Sequence, residues 1–184
     1  MGIISVLIIF ICICVDNMVS ANMSAMKMPE DKGVFSIKMA LFFAAFNALF
    51  FMIGYLISVV FFRDWVYLAH NWVAFAFLLL LGIKFMLESI EKSPSFSNVD
   101  AGSTRKLIKV SALIAMNSLL VGYAAETMDT ALFPQFIFLA IITFIMTLVG
   151  FHLGGPNSKT IVSKKGELLA GIILIVMAVR LIIV

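Results

Sequence analysis

The chain has 184 residues, of which 63% are hydrophobic and only 12% charged, about half the charged share usual in a soluble domain. That much apolar surface exceeds what a soluble fold of this size can hide, which excludes a soluble enzyme, a nucleic-acid binder and a disordered chain. The net charge of +3 comes from Lys and Arg spread thinly among apolar blocks, the pattern of a membrane protein with its basic residues on one side.

A bilayer core of about 30 Å takes about 20 apolar residues per helix. Six segments meet that requirement, at 2–26, 36–62, 67–90, 107–126, 135–155 and 163–184, and predict an all-α membrane protein with six transmembrane helices. The first lacks a basic start and a small-residue cleavage site, and it carries Asp16, Asn17 and Asn22, so it reads as a span rather than a signal peptide. Asp16 lies about 14 residues into this span, near mid-bilayer at about 1.5 Å per residue. A carboxylate at that depth costs about 2.5–3.5 kcal/mol on insertion scales and is by default a candidate functional group. Asp16, Asn17, Ser20 and Ser24 share a helical arc of about 100°, with Asn22 off it. The alternative role for such a stripe is an interhelical hydrogen-bond cluster. Cys12 and Cys14 stand two apart in an apolar run, face different ways, and read as small core residues rather than a disulfide or metal pair. Met18, Met23, Met26 and Met28 read as flexible filler in a chain with 12 methionines.

Span two holds one strongly polar residue at its middle, Asn47. Trp65, Tyr67 and Trp72 sit where an interfacial aromatic belt belongs. Residues 92–106, rich in Ser and poor in apolar residues, read as a linker loop between a first three-helix unit, 1–91, and a second, 107–184. Span four repeats the theme of span one with Asn117 and Ser118. Span five begins just after Pro134, and its Thr143, Thr147, Gly150 and Gly154 share one narrow face suited to close helix packing. His152 falls near the membrane edge, where a lone His is usually solvated.

Orientation follows from the basic residues near the loops. Lys27, Lys32 and Lys38, then Lys84, Lys92, Arg105, Lys106 and Lys109, then Lys159, Lys164 and Lys165 make eleven of the 13 on one side, against Arg63 and Arg180 on the other. The rich side is expected to be cytoplasmic, leaving both termini outside the cell membrane.

The two units also align with each other. A shift of 96 residues places Asn47 on Thr143, Ala44 on Ala140, Gly54 on Gly150, Ala74 on Ala170 and Lys84 on Arg180. A shift of 101 places Asp16 on Asn117 and Asn17 on Ser118. Because each unit has an odd number of spans, the second is expected to enter the membrane upside down, as in many secondary transporters whose site lies at the repeat interface.

The polar residues define the chemistry. The carboxylate of Asp16, the amide carbonyls of Asn17, Asn47 and Asn117, and the hydroxyls of Ser20 and Ser118 are hard oxygen donors. They suit Mn²⁺, Mg²⁺ or Ca²⁺ better than Cu⁺ or Zn²⁺. No paired haem-type histidines, P-loop, Ser/His/Asp set or Cys/His zinc spacing occurs, so the chain is not expected to be an enzyme and no bound cofactor is expected.

Three stretches carry a family resemblance: CVDNMVSA at 14–21, HNWVAFAFLLLLGIKFMLES at 70–89 and KKGELLAGIILIVMAVRLI at 164–182. Together they resemble the MntP-type manganese exporter family, within the LysE-like group of small six-span exporters. The resemblance implies two inverted three-helix repeats and Mn²⁺ efflux from the cytoplasm through acidic residues in spans one, two and four. Asp16 matches the acidic residue of span one. Where the family typically has Glu in span two and Asp in span four, this chain has Asn47 and Asn117. Glu167 matches a recurrent Glu at the start of span six, and equally suits an interfacial partner of Lys164 or Lys165. The functional expectation is a secondary cation exporter, with Mn²⁺ as substrate and the lipid bilayer as surroundings. A homo-oligomer or a membrane partner subunit stays open. The competing expectations are a non-transporting membrane scaffold that keeps the fold, and a LysE-like exporter of a small organic solute.

Overall fold

The computed structural model describes residues 3–26, 32–62, 70–90, 104–125, 132–154 and 160–183. These form six helices: α1 (Ile3–Met26), α2 (Lys32–Ile57), α3 (His70–Ile90), α4 (Thr104–Ala125), α5 (Leu132–Leu153) and α6 (Thr160–Ile183). Among the described residues there is no strand. All six are long and apolar enough to cross a membrane, with candidate spans of 19 to 28 residues. The helices match the six expected spans, with shifts at their ends. A π-helical turn, Ser58–Phe62, extends α2 to the expected end of its span. Helix α5 starts earlier than expected, at Leu132, so Pro134 falls in the first turn, where its missing N–H is not needed. The expected linker at 92–106 lies outside the described residues as far as 103, and its last three residues belong to α4. Met28, Trp65 and Tyr67 also lie outside the described residues, whereas Trp72 is exposed on α3.

The helices present apolar side chains outward as well as inward. Ile37, Leu41, Leu49 and Leu56 of α2 and Ile141 and Ile145 of α5 are exposed, as suits a lipid-facing surface. The buried positions, by contrast, include many of the polar ones: Asp16, Asn17, Ser20, Asn47, Ser111, Asn117, Ser118, Thr143 and Thr147. Backbone hydrogen bonding within each helix satisfies the main chain, and the interior can then hold the polar side chains that lipid would reject. The two helices of the interior are α1 and α4, with 67% and 56% of their spans buried against 28% to 39% for the rest.

Helix packing follows a regular scheme. The main contacts are α2 on α4, α1 on α5, α3 on α6, α2 on α5, α1 on α6 and α3 on α4. Exchanging α1 with α4, α2 with α5 and α3 with α6 leaves this set unchanged. Glycines make the closest approaches. A Cβ on Gly54 of α2 would run into the backbone carbonyl of Leu119 on α4, and a Cβ on Gly150 of α5 would run into that of Met18 on α1. These two contacts correspond under the sequence shifts, since Gly54 falls on Gly150 and Met18 on Leu119. The face of Thr143, Thr147, Gly150 and Gly154 is therefore a packing face, as expected: Gly154 also lies against the Asn22 backbone of α1.

Two apolar clusters fill the interior. The first takes Ile9, Phe10 and Ile13 of α1, Phe51 of α2, Val121 and Ala124 of α4, and one side of α3 and α6. The second takes Ala21 and Ala25 of α1, Met39 and Phe43 of α2, Leu107 and Ile114 of α4, and Phe151 of α5. Thus α1 gives its N-terminal half to the first cluster and its C-terminal half to the second, while α2 and α4 do the reverse. Helix α1 runs antiparallel to both. Asp16, Asn17, Asn47, Asn117 and Ser118 occupy the levels between the two clusters.

Candidate metal-ion site

The polar layer is built by three helices. Asp16 and Asn17 come from α1, Asn47 from α2, and Asn117 and Ser118 from α4. All five are buried, none more than 3% exposed. The layer has two linked parts. In one, Nδ2 of Asn117 donates to Oδ2 of Asp16 at 2.8 Å, joining the two interior helices. In the other, Nδ2 of Asn47 donates to Oδ1 of Asn17 at 3.1 Å and to the Phe43 carbonyl at 2.8 Å. The Ser118 hydroxyl donates to Oδ1 of Asn47 and closes this part on α4. The structure therefore brings Asp16, Asn17, Asn47, Asn117 and Ser118 together. Ser20 lies one turn along α1 from Asp16 and is 1% exposed.

The network is not closed on itself. Among the described residues, Nδ2 of Asn17 and Oγ of Ser20 are buried without a hydrogen-bond partner. A buried polar group left unpaired costs about 1–3 kcal/mol, so a cluster serving only to hold helices together would be expected to pair these atoms. The Ser24 hydroxyl instead bonds back to the Ser20 carbonyl at 2.8 Å, within its own helix. Cys14 and Cys12 are buried free thiols, and Sγ of Cys14 lies 3.2 Å from Oγ1 of Thr143. His152 is exposed, with Nδ1 3.1 Å from the Leu148 carbonyl.

Two charged residues that were not expected at the site complete it. Lys84, counted from the sequence with the loop between spans three and four, lies inside α3. Its Nζ donates to Oδ1 of Asn117 at 2.8 Å and stands 4.0 Å from Oδ2 of Asp16. Glu88, one turn further along α3, has Oε1 3.5 Å from the same ammonium. Carboxylates thus stand within the spans at Glu88 as well as at Asp16, and Glu167 of α6 is buried as well. The signal for Lys84 and Glu88 was present as a Lys and a Glu four apart in an otherwise apolar stretch, a costly pair that membranes retain for use. Among the described residues, no three His, Cys, Asp or Glu side chains gather as metal ligands. A cation here would meet one buried carboxylate, amide carbonyls and hydroxyls.

The sequence pattern of a family described as "Putative manganese efflux pump" matches residues 32–182. The chain belongs to this family. Relatives named "Putative manganese efflux pump MntP" include one from Actinobacillus succinogenes, 30% identical over 81% of this chain and 79% of its own. One from Campylobacter jejuni is 28% identical over 78% of this chain and 75% of its own. One from Clostridium botulinum, named "Putative manganese efflux pump MntP 2", is 26% identical over 100% of this chain and 95% of its own. No solved structure matches. The family is one of transporters, which agrees with a bundle whose polar residues are turned inward.

Proposed function

We propose that this chain exports Mn²⁺ from the cytoplasm across the cell membrane as a secondary transporter, taking the ion at the layer of Asp16, Asn17, Asn47, Asn117, Ser118 and Ser20. The observation that carries this reading is the buried pair of Asp16 and Asn117, which joins the two interior helices at a level between two apolar clusters. Hard oxygen donors at mid-span suit a hard divalent ion. The two halves act as inverted repeats, a reading supported by the exchange symmetry of the helix contacts and the antiparallel run of α1 and α4. The excess of Lys and Arg by three alternate loops supports an orientation with both termini outside. Asp16 is the indispensable ligand, because it supplies the one carboxylate fully within the layer.

The test is Mn²⁺ flux into proteoliposomes that enclose a Mn²⁺-quenched dye. The natural sequence should carry Mn²⁺, and Asp16→Asn should abolish flux while the protein still inserts and folds. Normal flux through Asp16→Asn would remove the proposed role. One observation favours a second reading, that of a non-transporting scaffold: the ammonium of Lys84 already occupies oxygens that a metal would need. Absence of flux in the natural sequence, with the fold intact, would decide for the scaffold.

A further inference from the structure

If Asp16 and Asn117 hold the metal, as proposed above, the position of Lys84 needs an explanation. Its ammonium bonds Oδ1 of Asn117 at 2.8 Å and approaches Oδ2 of Asp16 to 4.0 Å. These are an amide carbonyl and a carboxylate oxygen, the pair of atoms a hard cation would take. The lysine is a cation already standing there. A divalent ion on the same two oxygens would lie within a few ångströms of the ammonium in a setting where charges are poorly screened, so the two cannot share the place.

The surroundings of Lys84 give the ammonium somewhere to go. Its side chain is 38% exposed whereas that of Asp16 is 3% exposed, so Lys84 reaches the layer from the outer side of the bundle. Glu88 lies one helical turn away on the same face, with Oε1 at 3.5 Å. Lysine is a point charge on a flexible stem, able to change partners without the fixed fork that arginine would impose. We propose that Lys84 is a tethered cation that occupies the metal site in the empty protein, and that the entering divalent ion displaces its ammonium from Asn117 and Asp16 onto Glu88. No covalent bond changes in this step. Its effect is that Asp16 is never a buried charge without a partner, whether the ion is present or absent. Lys84 then sets both how tightly the ion is held and how readily it leaves.

Mn²⁺ binding to the purified protein in nanodiscs, read from the electron paramagnetic resonance signal of free Mn²⁺, tests this beside the flux assay. Lys84→Met should bind Mn²⁺ about tenfold more tightly or better, because a competing charge at close range is gone. Its turnover in proteoliposomes should fall, since nothing drives the ion off. A lysine needed only for folding would weaken binding when removed. Glu88→Gln, which keeps the lysine but deprives it of its second partner, should weaken Mn²⁺ binding several-fold, and it serves as the test if Lys84→Met does not fold. Asp16→Asn separates the two levels of the argument. If Asp16→Asn abolishes binding while Lys84→Met binds no more tightly than the natural sequence, or Glu88→Gln binds equally well, the tethered-cation proposal falls and the metal site stands. If Asp16→Asn leaves binding unchanged, the metal site itself is wrong and the proposal falls with it.

Discussion

At the scale of single residues, the two mid-span amides Asn47 and Asn117 turn out to be unequal. Only Asn117 hydrogen-bonds Asp16; Asn47 is tied to Asn17, Ser118 and the Phe43 carbonyl. Asn117→Asp would set a second carboxylate against Asp16 in place of the donating Nδ2. In the absence of metal that variant should lose stability by about 1–3 kcal/mol, seen as a lower thermal midpoint in detergent. Mn²⁺ should restore it, since saturation at a hundred times Kd adds about 2.7 kcal/mol. Asn47→Glu would forfeit two donated hydrogen bonds without facing Asp16, so it should lower the midpoint with little recovery on adding Mn²⁺. Equal recovery in both variants would show that the metal does not sit against Asp16. This residue-level picture was half legible in advance. Asp16, Asn17, Asn47, Asn117 and Ser118 stood out because each is a costly group in an apolar span. Which of them touch depends on helix rotation and crossing, which one chain's periodicity does not contain. Lys84 was misjudged for a related reason: near the end of a span a lysine can snorkel outward, and only the packing of α3 on α4 shows that it points to Asn117.

At the scale of elements, the helices themselves were readable because a length of about 20 apolar residues leaves few alternatives in a bilayer. Their ends were less so, as with α5, where Pro134 marks the first turn rather than the boundary. The glycine face of α5 was readable as a packing surface from spacing alone, but its partner, α1, was not. Those seams make a direct prediction. Lipid offers no hydrophobic drive for helices to associate, so close backbone packing matters more than it would in water. Gly54→Ala and Gly150→Ala would each push a methyl into a neighbouring carbonyl, at Leu119 and Met18 respectively. Each should cost about 1–3 kcal/mol, measurable as a loss of thermal stability in detergent. Gly33→Ala is the control: among the described residues a Cβ there meets nothing within 4 Å, and the stability should not fall. A Gly54→Ala protein as stable as the control would mean that α2 and α4 are not held at this distance.

At the scale of the whole molecule, orientation is the first thing to measure. With Lys84 assigned to the interior of α3, ten of the basic residues still fall by the same three loops, against Arg63 and Arg180. Single cysteines at Ser97 and Met128, in a background without Cys12 and Cys14, should report it. An impermeant thiol reagent on intact cells should label position 128 and not 97; the opposite labelling would reverse the topology. The glycine seams bear on how such a molecule could move. They bind α2 to α4 and α1 to α5, and each of these pairs takes one helix from either half of the chain. The halves are consequently interlaced: a swing of residues 1–91 against 107–184 as two blocks would have to tear both seams at once. Motion that spares them would treat each glycine-joined pair as the rigid body, with the slip plane running between α2 and α5 and through the contacts of Asp16 with Asn117 and of Asn17 with Asn47. The same hydrogen bonds that gather the polar layer would then also be the latch that every cycle must open.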